Sequence, residues 1–425
     1  MLSPKEPDDS KELSRELVKR YDYADSLLNH WITSFGLDKT LKIIENLRNP
    51  YDTIWVQVNT SRIDFDSLRM VFEDMEYEVQ KHHLFEDFLE VKVEKRDFSI
   101  EDPEIPSVIV DIESSSNISL GKDVHTASII KNDKFVSGDK VKVLDHTGSI
   151  IAVGVAEVNS KEIQSLSQMT VVKVSDSLGY VPPLTELSVY RKGLFNILTP
   201  VQAIGVKSLY LDKMDNILVA SSDRGEVACY IAELTNHKTP ITVIAQNELQ
   251  VKAITRQIER VKTKAIRLLH VPFLTFLRER HEMKYSSVYL GLQNSRTAIK
   301  PVFSSNLSAG KLREMVKAQT DIVTYLFRCL HENASITYTT HSMDYLENEG
   351  IFKKILEKAY YESQSFPEEV RILQTKKVLK ARDAPILDTK GISMDLKNSS
   401  IFLDPIETSN IGGFLAKFKF KHKTN

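Results

Sequence analysis

Only two cysteines, Cys229 and Cys329, occur in 425 residues. That excludes a disulfide framework and any zinc site built on several thiolates. Glycine is scarce too: 15 residues, about half the usual ~7% of a globular protein, leave little material for Gly-rich phosphate or cofactor loops. Neither sign of charge dominates. Lys plus Arg number 56 against 58 Asp plus Glu, a formal net charge of −2, so a nucleic-acid surface can arise only from local clustering. No apolar run approaches the ~20 residues of a membrane span, and the stretch Ile150 to Val155 is strand-length. The opening segment, MLSPKEPDDSKELS, is polar and acidic, unlike a signal or transit peptide, and the expectation is a cytoplasmic protein.

What is present is ordinary folding material, 42% hydrophobic and 27% charged, enough for two to four domains at roughly 100–200 residues each. Leu13, Leu17, Tyr21, Ala24, Leu28 and Trp31 recur at helical spacing, and Asp9 with Glu12 stand at capping-box distance before them. A strand at Thr53–Val58, a helix from Phe65 to about Met75 and a strand near Phe88–Val93 predict a small N-terminal helical and α+β domain, residues 1–102. Acidic, proline-bearing sequence (EDPEIP) then reads as a linker. Residues 105–182 hold short apolar strands parted by Gly, Asn, Asp and Ser, the pattern of a small all-β barrel, closed by Val181-Pro182-Pro183. Over 186–425 strands and amphipathic helices alternate. Strands are expected at Asn216–Ala220, Ile241–Ala245, Ala265–Leu269, Ser287–Leu290, Ser335–Thr340 and Gly413–Phe418, with helices at Glu248–Val261 and Leu312–His331. The fold class is therefore α/β multidomain with an open, mostly parallel sheet, whose ligands belong at the carboxyl ends of the strands.

Several short motifs, in this order, resemble the Sun (Fmu) family of RNA cytosine-5 methyltransferases with an inserted PUA domain. Gln57-Val58-Asn59-Thr60 resembles R-V-N-T, with Gln57 replacing the arginine. Gly121-Lys122-Asp123-Val124, Gly138-Asp139-Lys140-Val141 and Ala152-Val153-Gly154 resemble the turns of a PUA barrel. Glu186–Phe195 (ELSVYRKGLF) resembles the family's lead-in to its catalytic domain. Tyr338-Thr339-Thr340-His341-Ser342 with Glu347-Asn348-Glu349 resembles Y-S-T-C-S … E-E-N-E, and Gly413-Phe414-Leu415-Ala416-Lys417 resembles G-F-F-x-A-K. The resemblance implies a Rossmann-like S-adenosylmethionine methyltransferase sheet, a PUA-like barrel and RNA as partner. In such enzymes a cysteine thiolate adds to cytosine carbon 6, and no hard side chain replaces that soft nucleophile.

The matched positions have lost this chemistry. His341 stands at the nucleophile, and Asn294 at the second cysteine, of a D-A-P-C-S-G motif that aligns on Gly291 to Arg296. The cofactor loop D-x-C-A-A-P-G-G-K-T aligns with Val219 to Ala228, which puts Val219 at the acid and Gly225 at a retained glycine. The ribose-binding acid falls at Ala245 and the acid after the next strand near His270. The expectation is a catalytically silent RNA-binding relative with no cofactor, acting as accessory factor on tRNA or rRNA, with a possible protein partner. Two alternatives stay open: an active methyltransferase using S-adenosylmethionine through displaced motifs, and a scaffold without RNA affinity.

Cys229 and Cys329 read as packing residues, and His341 as a structural histidine, a relic of the base pocket or a general acid of new chemistry. His82-His83 with Glu86 is a poor metal set, since neighbours on a helix face different ways. RNA contacts are expected from Lys122 on the barrel, from Lys252, Arg256 and Arg260 on one helix face, and from Lys417 and Lys419, which alternate with Phe418 and Phe420 before Lys421 and Lys423. A further basic group is Lys376, Lys377, Lys380 and Arg382. Solvated faces and lysine-protected strand edges would give the same patterns.

Overall fold

The computed structural model describes residues 17–421, apart from 19, 84, 97–103, 166, 212–215, 281, 359–360 and 368–398. The Asp9–Glu12 capping box and the basic group at Lys376 to Arg382 lie outside the described residues, as does Lys423.

Contacts divide the chain into two compact units that interleave in sequence. One holds residues 1–52, 93–182 and 300–309; the other holds 53–92, 183–299 and 310–425. This differs from the three consecutive domains implied by the order of motifs. The reason is a strand pairing across some 140 residues: Thr53–Val58 runs antiparallel to Phe195–Leu198, with Trp55 opposite Leu198 and Val58 opposite Phe195.

In the first unit the N-terminal helical pattern is broken, not continuous. Asp22 takes a left-handed φ of 51°, Tyr23 bridges to Ser305, and helices then run Asp25–Phe35 and Leu37–Leu47. The barrel follows as a six-stranded sheet in the order Val124–His125, Thr170–Ser177, Ile150–Ala156, Lys140–Leu144, Ser107–Val110, Ile129–Asn132. Its core is aliphatic (Val108, Val110, Val124, Val141, Val143, Ile151, Val171, Val172). The sequence pattern missed one helix there, Ile112–Ile118, whose first turn is capped by Asp111 Oδ1 accepting from Ser114 N at 2.8 Å.

The second unit carries two sheets. A four-stranded antiparallel sheet orders Phe195–Leu198, Thr53–Val58, Phe88–Lys92 and Val79–Lys81. The larger sheet contains β1 (Ile217–Ser221), β2 (Ile241–Ala245), β3 (Ile266–His270), β4 (Tyr285–Gly291), β5 (Leu330–Thr340), β6 (Tyr361–Ser363), β7 (Ser400–Leu403) and β8 (Gly413–Phe420). Its order is β3-β2-β1-β4-β5-β8-β6, with β7 also paired to β8. The first five strands are parallel and β8 is antiparallel to β5. Helices α1 (Glu226–Leu234), α2 (Glu248–Val261), α3 (Phe273–Glu279), α4 (Ala309–Leu326) and α5 (Glu349–Leu356) connect them. β1, β2 and β4 are buried along almost their whole length, as strands covered on both faces must be. The strand order reverses between β1 and β4, so the loops leaving these strands diverge and open a crevice at their carboxyl ends.

Candidate functional site

A cleft of about 460 Å³ lies at that reversal, lined by Ala220, Ser221 and Ser222 after β1, Gln246, Asn247 and Gln250 after β2, and Leu292 to Asn294 with Arg296 after β4. Gln319 of α4 closes one side. The loop after β1 is tied by its own carboxylates. Asp223 accepts from Gly225 N at 2.7 Å and from Ser221 Oγ at 2.7 Å. Glu226 accepts from Arg224 N at 2.8 Å. Burial raises the Asp223 carboxyl, and burial with the charge of Asp223 pushes Glu226 up to about 7. Gly225 starts α1 with φ 105°, where a Cβ would press on Ile254.

None of the three expected cofactor positions lines this cleft. Val219 is interior to β1, 1% exposed and paired with Val243 and Tyr289, so an acid there would enter the core. Gly225 caps α1. Ala245 ends β2 fully buried, and its two successors, Gln246 and Asn247, face the cleft instead. These amides were passed over because an alignment on family motifs looks for acids and glycines.

The fold does bring the two matched cysteine positions together. Asn294 Oδ1 accepts from His341 N at 3.2 Å and from Arg296 N at 3.0 Å, while Asn294 Nδ2 donates to Leu292 O at 2.9 Å. His341 Nε2 lies 2.8 Å from Thr199 Oγ1, and burial together with Arg296 lowers its imidazole to about 4, leaving it neutral at pH 7. Around the pair a dense network holds the loop. Glu347 accepts from Ser295 N at 3.0 Å and Gln319 Nε2 at 3.2 Å. Thr340 Oγ1 donates to Asn348 at 2.6 Å, and Asn348 Nδ2 donates to Ser342 O at 2.8 Å. The Glu347-Asn348-Glu349 motif thus works as a brace for the strand end that carries His341.

Neither cysteine is displaced into the cleft. Cys229 is buried in α1 with its thiol raised by desolvation, and Cys329 is buried in a turn, its thiol pushed up to about 11. Both pack as small hydrophobes. His82 is not helical; it is buried against Trp55 and Phe85, accepts from Phe85 N at 3.1 Å, and is lowered to about 4 by burial. Among the described residues no group of His, Cys, Asp or Glu could hold a metal ion.

The cations separate into surface and interior. Lys122, Lys252 and Arg256 are exposed. Arg260 is not a solvent-facing contact: it donates to Tyr190 O at 3.0 Å, Phe195 O at 2.7 Å and Gln257 Oε1 at 2.7 Å, reaches Asn196 Oδ1, and stacks 4.1 Å from the Tyr190 ring. Lys417 is fully buried, its Nζ donating to Ser208 O and lying 3.8 Å from the Tyr210 ring centre, with burial lowering it to about 7. Lys419 pairs with Glu362 at 2.5 Å, and Lys421 shares that carboxylate. β8 is central and buried, so alternation alone misplaced Lys417 on a solvent face.

A family model, the PUA domain, matches residues 106–178. A curated relative, the tRNA (cytosine(72)-C(5))-methyltransferase of Pyrococcus horikoshii, is 21% identical over 340 residues, 79% of this chain and 86% of the relative. Among solved structures, NSun6 from Pyrococcus horikoshii, determined with SFG, superposes with a TM-score of 0.80 at 20% identity, covering 95% of this chain and 99% of that one. A methyltransferase homolog protein from Pyrococcus horikoshii superposes with a TM-score of 0.59 at 13% identity, covering 98% and 100%. No described helix is long and apolar enough to cross a membrane.

Proposed function

From the premise that this chain is a PUA-bearing relative of the Sun-type RNA cytosine-5 methyltransferases, we propose that it binds RNA, tRNA or rRNA, without transferring methyl groups. The observation that carries the reading is the meeting of His341 with Asn294 where the family's two thiols would meet, the His341 backbone N–H donating to Asn294 Oδ1 at 3.2 Å. A neutral imidazole tied to Thr199 and a carboxamide tied to three backbone groups offer no soft, reversible nucleophile for cytosine carbon 6. The only sulfurs of thiol type are raised and buried elsewhere.

The lining of the cleft supports the reading that S-adenosylmethionine is no longer held there. No carboxylate lines it, so the ribose hydroxyls would lack a charged acceptor. RNA affinity is supported by the PUA match and by the exposed Lys122, Lys252 and Arg256. The protein acts in the cytoplasm, as an accessory factor beside another protein.

The test is a pair of titrations on the intact chain. Structured RNA, followed by fluorescence anisotropy, is expected to bind with a salt slope of roughly 0.7–0.9 per neutralised phosphate. S-adenosylmethionine, followed by calorimetry, is expected to give no saturable heat in the micromolar range. RNA affinity no better than that of a neutral polymer would sink the RNA reading and favour a scaffold, whereas tight cofactor binding would favour an active enzyme.

A further inference from the structure

The hydrogen bonds around the cleft are asymmetric. Most side-chain carbonyls of its amides are already taken by the chain itself, the exposed Gln293 being the exception. Gln246 Oε1 accepts from Phe273 N at 3.3 Å, Asn247 Oδ1 from Gln250 N at 2.9 Å, Gln250 Oε1 from Gln246 N at 2.8 Å and Asn294 Oδ1 from two backbone N–H groups. Because a backbone N–H can only donate, these contacts also fix which way each amide is turned. Of the groups left without a partner among the described residues, Gln246 Nε2, Asn247 Nδ2 and the Arg296 guanidinium can only donate.

Charge follows the same sense. Arg296 and Arg224 come from the loops after β4 and β1; burial lowers the Arg296 guanidinium and the nearby Arg224 charge lowers it further, and neither forms an ion pair among the described residues. The nearby acids are turned to other work. Asp223 and Glu226 hold the loop after β1, and Glu248 begins α2 without lining the cleft. Arg296 also keeps a φ of 57°, at the place where the matched family motif has glycine. A left-handed arginine carries backbone strain that a glycine would avoid. The start of α2, a helix of 14 residues, adds the positive end of its dipole beside Asn247.

We propose that this cleft binds a phosphate-bearing ligand of nucleotide size, its anion met by Arg296, Asn247 and Gln246. The volume of about 460 Å³ falls among small-molecule sites, which span ~300–1000 Å³. The phosphate belongs either to a free mononucleotide or to a nucleotide of bound RNA. The inference rests on the reading that the cleft no longer serves a methyl donor.

The experiment is calorimetric titration of the full chain with 5′-AMP and 5′-CMP, their nucleosides, and S-adenosylmethionine. The monophosphates are expected to bind about tenfold or more tighter than the nucleosides, the effect of one charge-assisted hydrogen bond. Arg296→Gly, which removes the cation and suits the backbone, should weaken the nucleotides about tenfold without lowering thermal stability. Asn247→Asp keeps an equally good helix cap yet replaces a donor by an anion, so it should weaken them as well. Competition by an RNA oligonucleotide lacking terminal phosphates would assign the phosphate to RNA; its absence would assign it to a free nucleotide. Nucleosides binding as well as nucleotides, or indifference to Arg296→Gly, would overturn the proposal. Failure of every ligand overturns it alone, while S-adenosylmethionine binding above the nucleotides overturns both it and the loss of the methyl donor.

Discussion

Replacing Arg260 and Arg256 separately by alanine should have opposite consequences, though both belong to one basic helix. Arg260 reaches three carbonyl oxygens at 2.7 to 3.0 Å, besides Asn196 Oδ1, and covers the Tyr190 ring. Truncation leaves Phe195 O, inside a fully buried strand end, without its donor, and leaves Asn196 beside Gln57 and Glu233 short of one. Charged hydrogen bonds contribute about 1.5–3 kcal/mol each, and bonds from one guanidinium are not additive, so a total near 3–5 kcal/mol is expected. At roughly 2–4 °C per kcal/mol that is a fall of about 6–20 °C in the melting temperature. Arg256 is exposed, so its truncation should change stability by no more than about 0.5 kcal/mol while lowering the RNA salt slope by about one. Differential scanning calorimetry with RNA titrations at several salt concentrations reads both. A melting temperature for Arg260→Ala within a degree of wild type would refute the structural assignment, and an unchanged slope for Arg256→Ala would refute its contact with phosphate.

Three further outcomes follow from the same geometry. His341 has a depressed folded value of about 4, so its stabilising share is present above the ordinary histidine value and lost as pH falls toward 4; between pH 7 and 5 the loss is about 2 kcal/mol, and His341→Gln should remove that part of the pH dependence in urea melts. Lys417→Met should leave RNA affinity within about twofold, because the amine is buried against Tyr210 and Ser208; a loss comparable with Arg256→Ala would show that it reaches RNA. His341→Cys combined with Asn294→Cys should yield no methylcytosine, since a thiol without a positioned methyl donor supplies half of the required geometry; product from the double variant would show that the cleft still holds the donor.

The alternation of strands and helices was legible because its signals are local. β2 and α2 fall where periodicity placed them, and β1, β3, β4, β5 and β8 shift by a few residues at their ends. The barrel strands were legible for the same reason, whereas the membership of residues 53–92 was not, because it depends on Trp55 meeting Leu198 and no local pattern encodes that pairing. Arg260 misled through helix geometry. A spacing of four advances 400°, so two steps from Lys252 carry it about 80° round the axis, onto the side that meets Tyr190. Val219 misled because a motif alignment counts positions without registering where β1 ends; the strand continues two residues, to Ser221, and the cleft begins at its last turn of side chains. The meeting of His341 with Asn294 was implied by the family resemblance, but the amide chemistry of the cleft was visible only once the loops after β1, β2 and β4 were placed beside one another.

The central claim is that this chain holds RNA and leaves it unmethylated. Its most direct test is a single-turnover reaction with RNA saturated by wild-type protein, labelled S-adenosylmethionine in excess, and nucleoside analysis of the recovered RNA. Bound RNA is expected to carry no methylcytosine above the protein-free control; methylcytosine accumulating in proportion to protein would contradict this.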